Sequence, residues 1–121
     1  MVTFEINDKE YELKLTYKSI KYLNGKFKGG SYELIGKAIQ GDIEAFPLIV
    51  HAGLFHTGDN IAFKTVEARV EELIDNGEIS LEDIAKIADE VVTQSFFYKA
   101  TVDKLMKNNP EMKKALEQLR G

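Results

Sequence analysis

Ile43-Glu44-Ala45-Phe46-Pro47-Leu48-Ile49-Val50-His51-Ala52-Gly53-Leu54-Phe55 is the most apolar stretch of the chain, and its reading decides the fold. A membrane span needs about 20 apolar residues. This stretch has only 13 and contains Glu44, Pro47 and His51. It therefore reads as a helix buried inside a globule. Pro47 fits a helix only near its start, because further in it would remove a hydrogen bond and clash with the preceding turn. Beyond Pro47 the residues are apolar nearly all round, which marks the central, most buried element. Gly41 stops the helix before it, and Asp42 supplies its cap.

Working outward towards the N-terminus, the period changes. Val2, Phe4 and Ile6 fall on one face of a strand, and Tyr11, Leu13 and Leu15 on one face of another. Asn7-Asp8-Lys9-Glu10 between them is turn chemistry, since Asn and Asp tolerate positive φ. Residues 1–15 thus form a β-hairpin. Two strands alone are marginal in water, so the hairpin must pack on helices or pair with another chain. Thr16 caps a helix from Tyr17 that Gly25 ends or kinks. Ser31 caps the next, with Leu34, Ile35, Ala38 and Ile39 at helical spacing.

Towards the C-terminus, Thr65 caps a helix carrying Val66, Val70, Leu73 and Ile74, and Asn76-Gly77 ends it. Ser80-Leu81-Glu82-Asp83 has the form of a capping box. It opens what reads as the longest helix, over 81–107. In it Ile84, Ala88, Val91, Ser95, Tyr98, Val102 and Leu105 form a seam with alternating spacings of four and three. Phe97 lies about 220° round from Ile84, nearly opposite that seam, and Phe96 sits on its edge. A ring so placed either touches a second layer of the same domain or contacts another subunit or partner. Asn109-Pro110 restarts a short helix with Ala115, Leu116 and Leu119. The expectation is one α+β, mostly helical domain over residues 1–121: an N-terminal β-hairpin packed on a bundle of about five helices (1–15 hairpin, 16–121 helical).

The chain has 121 residues, 44% of them hydrophobic and 30% charged, which suits a folded globule with a single core. There is no Cys, so a disulfide scaffold, a thiol nucleophile and a thiolate metal site are excluded. The N-terminus lacks the basic start and apolar core of a signal peptide, so the cytoplasm is the default compartment. The net charge of -4 opposes general affinity for nucleic acid or anionic membranes. The charge is unevenly spread. Residues 1–57 balance, residues 58–90 carry ten acids against three bases, and residues 91–121 carry six bases against three acids. These are either ordinary solvated helix faces or the two ends of a polar molecule suited to head-to-tail association.

Signals of chemistry are few. His51 and His56 stand about 140° apart round a helix and share no face, so they read as a satisfied core histidine and a helix-end histidine. Gly30 to Lys37 imitates a phosphate loop, but it has one residue too many between its glycines and no Ser or Thr after Lys37. No catalytic, cofactor-binding or metal-binding residue is assigned, and an enzyme is not expected. A small DNA-binding or regulatory helical protein is the alternative; it would show salt-sensitive retention on DNA.

Several segments in order carry a family resemblance: Phe4-Glu5-Ile6-Asn7 with Lys9-Glu10-Tyr11-Glu12-Leu13; Tyr32-Glu33-Leu34-Ile35-Gly36-Lys37-Ala38-Ile39; Gly41 to Pro47; Val50 to Leu54; Ser95-Phe96-Phe97-Tyr98-Lys99-Ala100; and Lys107-Asn108-Asn109-Pro110-Glu111. Together the chain resembles the tail assembly chaperones of long, non-contractile-tailed phages and prophages of Gram-positive bacteria. The resemblance implies a non-enzymatic protein of the host cytoplasm, absent from the mature virion. It implies binding to the tape measure protein, which is kept soluble, and recruitment of tail tube protein, through a longer frameshifted form in many members. Self-association is expected as well, and a hairpin with a free edge is suited to it. The family supplies no catalytic residues to transfer. From helix phase, Phe97 is the first partner contact to test, with Phe96 and Tyr98 behind it.

Overall fold

The computed structural model describes residues 1–121. Two strands, β1 (Thr3–Ile6) and β2 (Lys9–Glu12), precede seven helices: α1 (Tyr17–Lys26), α2 (Gly30–Gln40), α3 (Ala45–Gly53), α4 (Phe63–Asp75), α5 (Leu81–Ala88), α6 (Lys99–Lys107) and α7 (Pro110–Arg120). A 3-10 turn at Phe55–Thr57 follows α3, and a π turn at Asp89–Thr93 follows α5. The fold is α+β and mostly helical, with the hairpin at the N-terminus, as the sequence predicts.

The strands pair antiparallel with Phe4 opposite Tyr11 and Ile6 opposite Lys9. The turn is tighter than the four residues expected. Asn7 and Asp8 alone make it, at φ 54° and 64°, the doubly positive conformation whose twist matches a right-twisted hairpin. Leu13 continues the ladder by donating to Val2 O at 2.8 Å, and Lys14 N donates to Gly53 O at 3.0 Å, at the end of α3. Gly53 allows that approach: a Cβ there would lie 3.2 Å from Leu13 Cβ. The hairpin's edges are less free than expected. Glu5 O accepts from Arg69 Nε at 2.9 Å, and Glu12 O accepts from His56 Nε2 at 2.7 Å.

The expected centre is in place. Seven of the nine residues of α3 are buried, and α3 meets α1, α2, α4 and α5. Asp42 Oδ2 accepts from Ala45 N at 2.9 Å and fixes the start. The helix is shorter than the apolar run, and Ile43 lies outside it. Phe46 is fully buried and meets the hairpin's Phe4 edge to face, 6.3 Å between centroids. The 24 buried apolar side chains form one cluster that takes in residues from β1 to α7.

Local capping rules explain most of the other boundaries. Thr16 and Ser19 form a capping box at α1, Ser80 and Asp83 form one at α5, and Asn109 caps α7 with Pro110 as its first residue. Gly41 and Gly77 end α2 and α4 in the left-handed region. Two caps differ from expectation. Helix α2 begins at Gly30, with Glu33 Oε1 accepting from Gly29 N at 3.0 Å, because the Ser31 hydroxyl is engaged elsewhere. Helix α4 begins at Phe63, two residues before Thr65, and the Phe63 ring packs against His51 at 5.7 Å.

The long helix over 81–107 is the main correction, and it raises the helix count above five. The chain leaves α-helical geometry at Asp89, and α6 starts only at Lys99. Side-chain hydroxyls compete with the backbone here. Thr93 Oγ1 donates to Asp89 O at 2.8 Å, Gln94 N reaches Asp89 O at 2.9 Å in the five-residue pattern of a π turn, and Ser95 Oγ donates to Val92 O at 2.6 Å. The β-branched run Val91-Val92-Thr93 weakens helix preference further. The seam nevertheless faces inward: Ile84, Ala88, Val91, Tyr98 and Val102 are buried.

Candidate partner-binding surface

The turn between the π segment and α6 holds the three residues singled out from the sequence. Phe96 is 74% exposed and Phe97 55% exposed, and their rings stand edge to face at 6.4 Å. Tyr98 is different. It is 2% exposed, its ring packs against Phe97 at 5.1 Å, and its hydroxyl lies 3.0 Å from Ser31 Oγ. Ser31 Oγ in turn donates to Asn24 Oδ1 at 3.1 Å, so the Tyr98 hydroxyl donates to Ser31. Tyr98 is thus spent inside the chain and anchors the turn to the start of α2. Phe96 and Phe97 are displayed by that anchor. Adjacent exposed rings are unusual for a solvated surface, which makes this pair the candidate contact patch.

The turn is braced from its other side by a buried charge. Asp89 is buried and accepts from Arg120 Nε and Nη2, both at 2.9 Å, from Gln94 Nε2 at 2.7 Å and from the Thr93 hydroxyl. Burial alone would push the Asp89 carboxyl up. The hydrogen bonds from Arg120, Thr93 and Gln94, helped by the Arg120 charge, outweigh it and hold the group below the usual carboxylate range. Helix α7, which carries Arg120 and the buried Leu116, is pinned to the π turn by this pair.

The histidines are taken up by the fold. His51 sits among the rings of Tyr22, Phe55 and Phe63. Its Nε2 lies 3.0 Å from Ile61 O and must donate there, which leaves Nδ1 to accept from the Tyr22 hydroxyl, also at 3.0 Å. Burial lowers its pKa. The Ile61 carbonyl opposes the shift, and the Lys26 charge adds to it. The unfolded chain therefore takes up this proton first. His51's share of stability is complete above about pH 6.5 and is lost as pH falls towards the lower folded value. Urea titrations between pH 7 and 5 should show a decline in the wild type that is smaller in His51→Gln. Equal slopes would contradict it.

A second surface was missed from the sequence. Ile43, placed inside the buried helix by its apolar neighbours, is 58% exposed, and Ile74 on α4 is 41% exposed. With Pro47 and Val70 they line a shallow groove of about 330 Å³ between the start of α3 and the end of α4. The signal available was Ile43 lying between Asp42 and Glu44, and Ile74 beside Asp75.

The helical domain thus turns two adjacent rings and an apolar groove outward. The family model described as "Phage tail assembly chaperone protein, TAC" matches residues 3–107, and the chain belongs to that family. No curated protein and no solved structure matches it. The matched span includes Phe96, Phe97 and both walls of the groove, whereas α7 lies beyond it.

Proposed function

We propose that this chaperone binds the tape measure protein through apolar helix surfaces, keeps that long chain soluble in the host cytoplasm, and helps recruit tail tube subunits, the last through a longer frameshifted form. It acts as an oligomer, catalyses no reaction and leaves before the virion is complete. The observation that carries the reading is the Phe96–Phe97 pair, displayed in solvent by a turn that two separate anchors hold in place. Burying one such ring against a partner is worth about 1.5–3 kcal/mol, and repetition along a filament multiplies weak contacts.

Co-expression with the tape measure protein tests the reading. The client should be soluble with this chain and should aggregate without it; a client equally soluble alone rejects the proposal. Phe97→Ala should reduce client solubility or oligomer formation, with stability changed by no more than about 0.5 kcal/mol. Loss of several kcal/mol in a urea melt would mean that the ring serves the core instead.

A further inference from the structure

The stretch from Leu13 to Tyr32 carries five lysines and no acid, in a chain whose net charge is -4. Lys14 precedes α1, Lys18, Lys21 and Lys26 lie on it, and Lys28 follows it. All five are exposed, and none forms an ion pair within the chain. Glu12 before the stretch and Glu33 after it do not pair with them; Glu33 Oε1 accepts from Gly29 N at 3.0 Å instead. Helix α1 buries Ser19, Ile20 and Leu23. At 100° per residue Lys18 and Lys21 fall on the opposite side, together with Tyr17, which is 77% exposed.

Local stability does not account for this face. No acid stands in the first turn of α1, where the helix dipole favours one, and Lys18 stands there instead. Lys18 and Lys21 are like charges three apart, an arrangement that weakens a helix. Uncompensated local costs of this kind are expected at functional positions. The charges are also held in place. Lys18 lies over the Phe55 ring at 5.7 Å and Lys26 over the Tyr22 ring at 5.0 Å from the centroids. The stems rest on the rings while the ammonium groups stay at the surface.

We propose that this face of α1 docks an acidic segment of another protein, its carboxylates meeting the lysines between Lys14 and Lys28 and its apolar side resting on Tyr17. The inference goes beyond the tape measure reading and does not depend on it. Protein is favoured over nucleic acid by the chemistry. The face has lysines only and no arginine to fork a phosphate. Residues 58–90, with ten acids against three bases, repel a long polyanion, whereas a short segment avoids them. Helix α1 is roughly 15 Å long, the reach of about ten residues of partner helix. Binding through exposed lysines is modest and salt-sensitive.

Fluorescence anisotropy with a labelled, Glu-rich helical peptide tests this on the full chain. The peptide should bind at low salt and be released as salt rises. Lys18→Glu with Lys21→Glu should weaken binding about tenfold or more, with circular dichroism confirming the fold. Lys113→Glu with Lys114→Glu makes the same charge change on α7 and should leave binding within about twofold, because exposed charges further apart than a Debye length are screened. A peptide that does not bind at low salt overturns the proposal, and so does an equal loss in the two double variants, which would reduce the effect to net charge. A labelled single-stranded oligonucleotide bound as tightly through the same lysines would make the face a nucleic-acid site instead. Self-association of the wild type in sedimentation velocity that disappears in the α1 variant would make it a contact between copies, and would equally overturn the proposal.

Discussion

Replacing Phe46 with alanine is expected to cost about 3–5 kcal/mol of stability, the range for emptying a buried aromatic site. Phe46 has no exposed surface and is one of the points at which α3 meets the hairpin, through Phe4. The hairpin has only two strands and relies on that contact, because an isolated pair is marginal in water. Removing the ring should loosen β1 and β2 as well as leave a cavity. Set against the roughly 5–15 kcal/mol that separates a folded domain from its unfolded chain, the loss is large. A urea titration would show the midpoint fall sharply, and hydrogen exchange would show the strand amides losing protection. A loss near 1 kcal/mol would mean that neighbouring side chains close the gap and that the hairpin is held by other contacts.

Arg120→Met should be the next most damaging single change, at about 3 kcal/mol near neutral pH. Its partner Asp89 would remain in the interior with Thr93 and Gln94 as its only donors. The pH dependence identifies the cause. In the wild type the Asp89 carboxyl is held below its ordinary value, so its contribution is complete above about pH 4 and is lost as pH falls through the folded value. Without Arg120, burial favours the neutral acid. The gap between wild type and variant should therefore be widest at neutral pH and should shrink as the solution becomes acidic. The double variant Asp89→Leu with Arg120→Met should cost less than the sum of the two single changes, since no lone charge is left inside. A pH-independent deficit would assign the effect to lost packing of the arginine stem instead.

Elements fixed by neighbours in sequence were legible in advance. The Ser80–Asp83 and Asn109–Pro110 starts, the Gly41 and Gly77 stops and the buried run around Phe46 obey rules that act within a few residues. Elements that depend on distant partners were not. The π turn is stabilised partly by Arg120, 31 residues beyond Asp89, and Tyr98 is drawn inward by Ser31, 67 residues before it. Helix phase correctly placed Ile84, Val91, Tyr98 and Val102 on the buried seam, but it assumed a continuous helix, and naming Tyr98 as a contact beside Phe96 and Phe97 went against its own seam position. The outward position of the two phenylalanines survives because a turn displays them even where a helix does not. Ile43 was misread because apolar runs do not reveal where a helix begins.

The covers on the two strand carbonyls, Arg69 over Glu5 and His56 over Glu12, bear on how the molecule tolerates crowding. A foreign backbone trying to widen this small ribbon would first have to evict a guanidinium on one flank or an imidazole on the other. Fibril-like zippering is discouraged at the site where a two-stranded ribbon is most vulnerable to it.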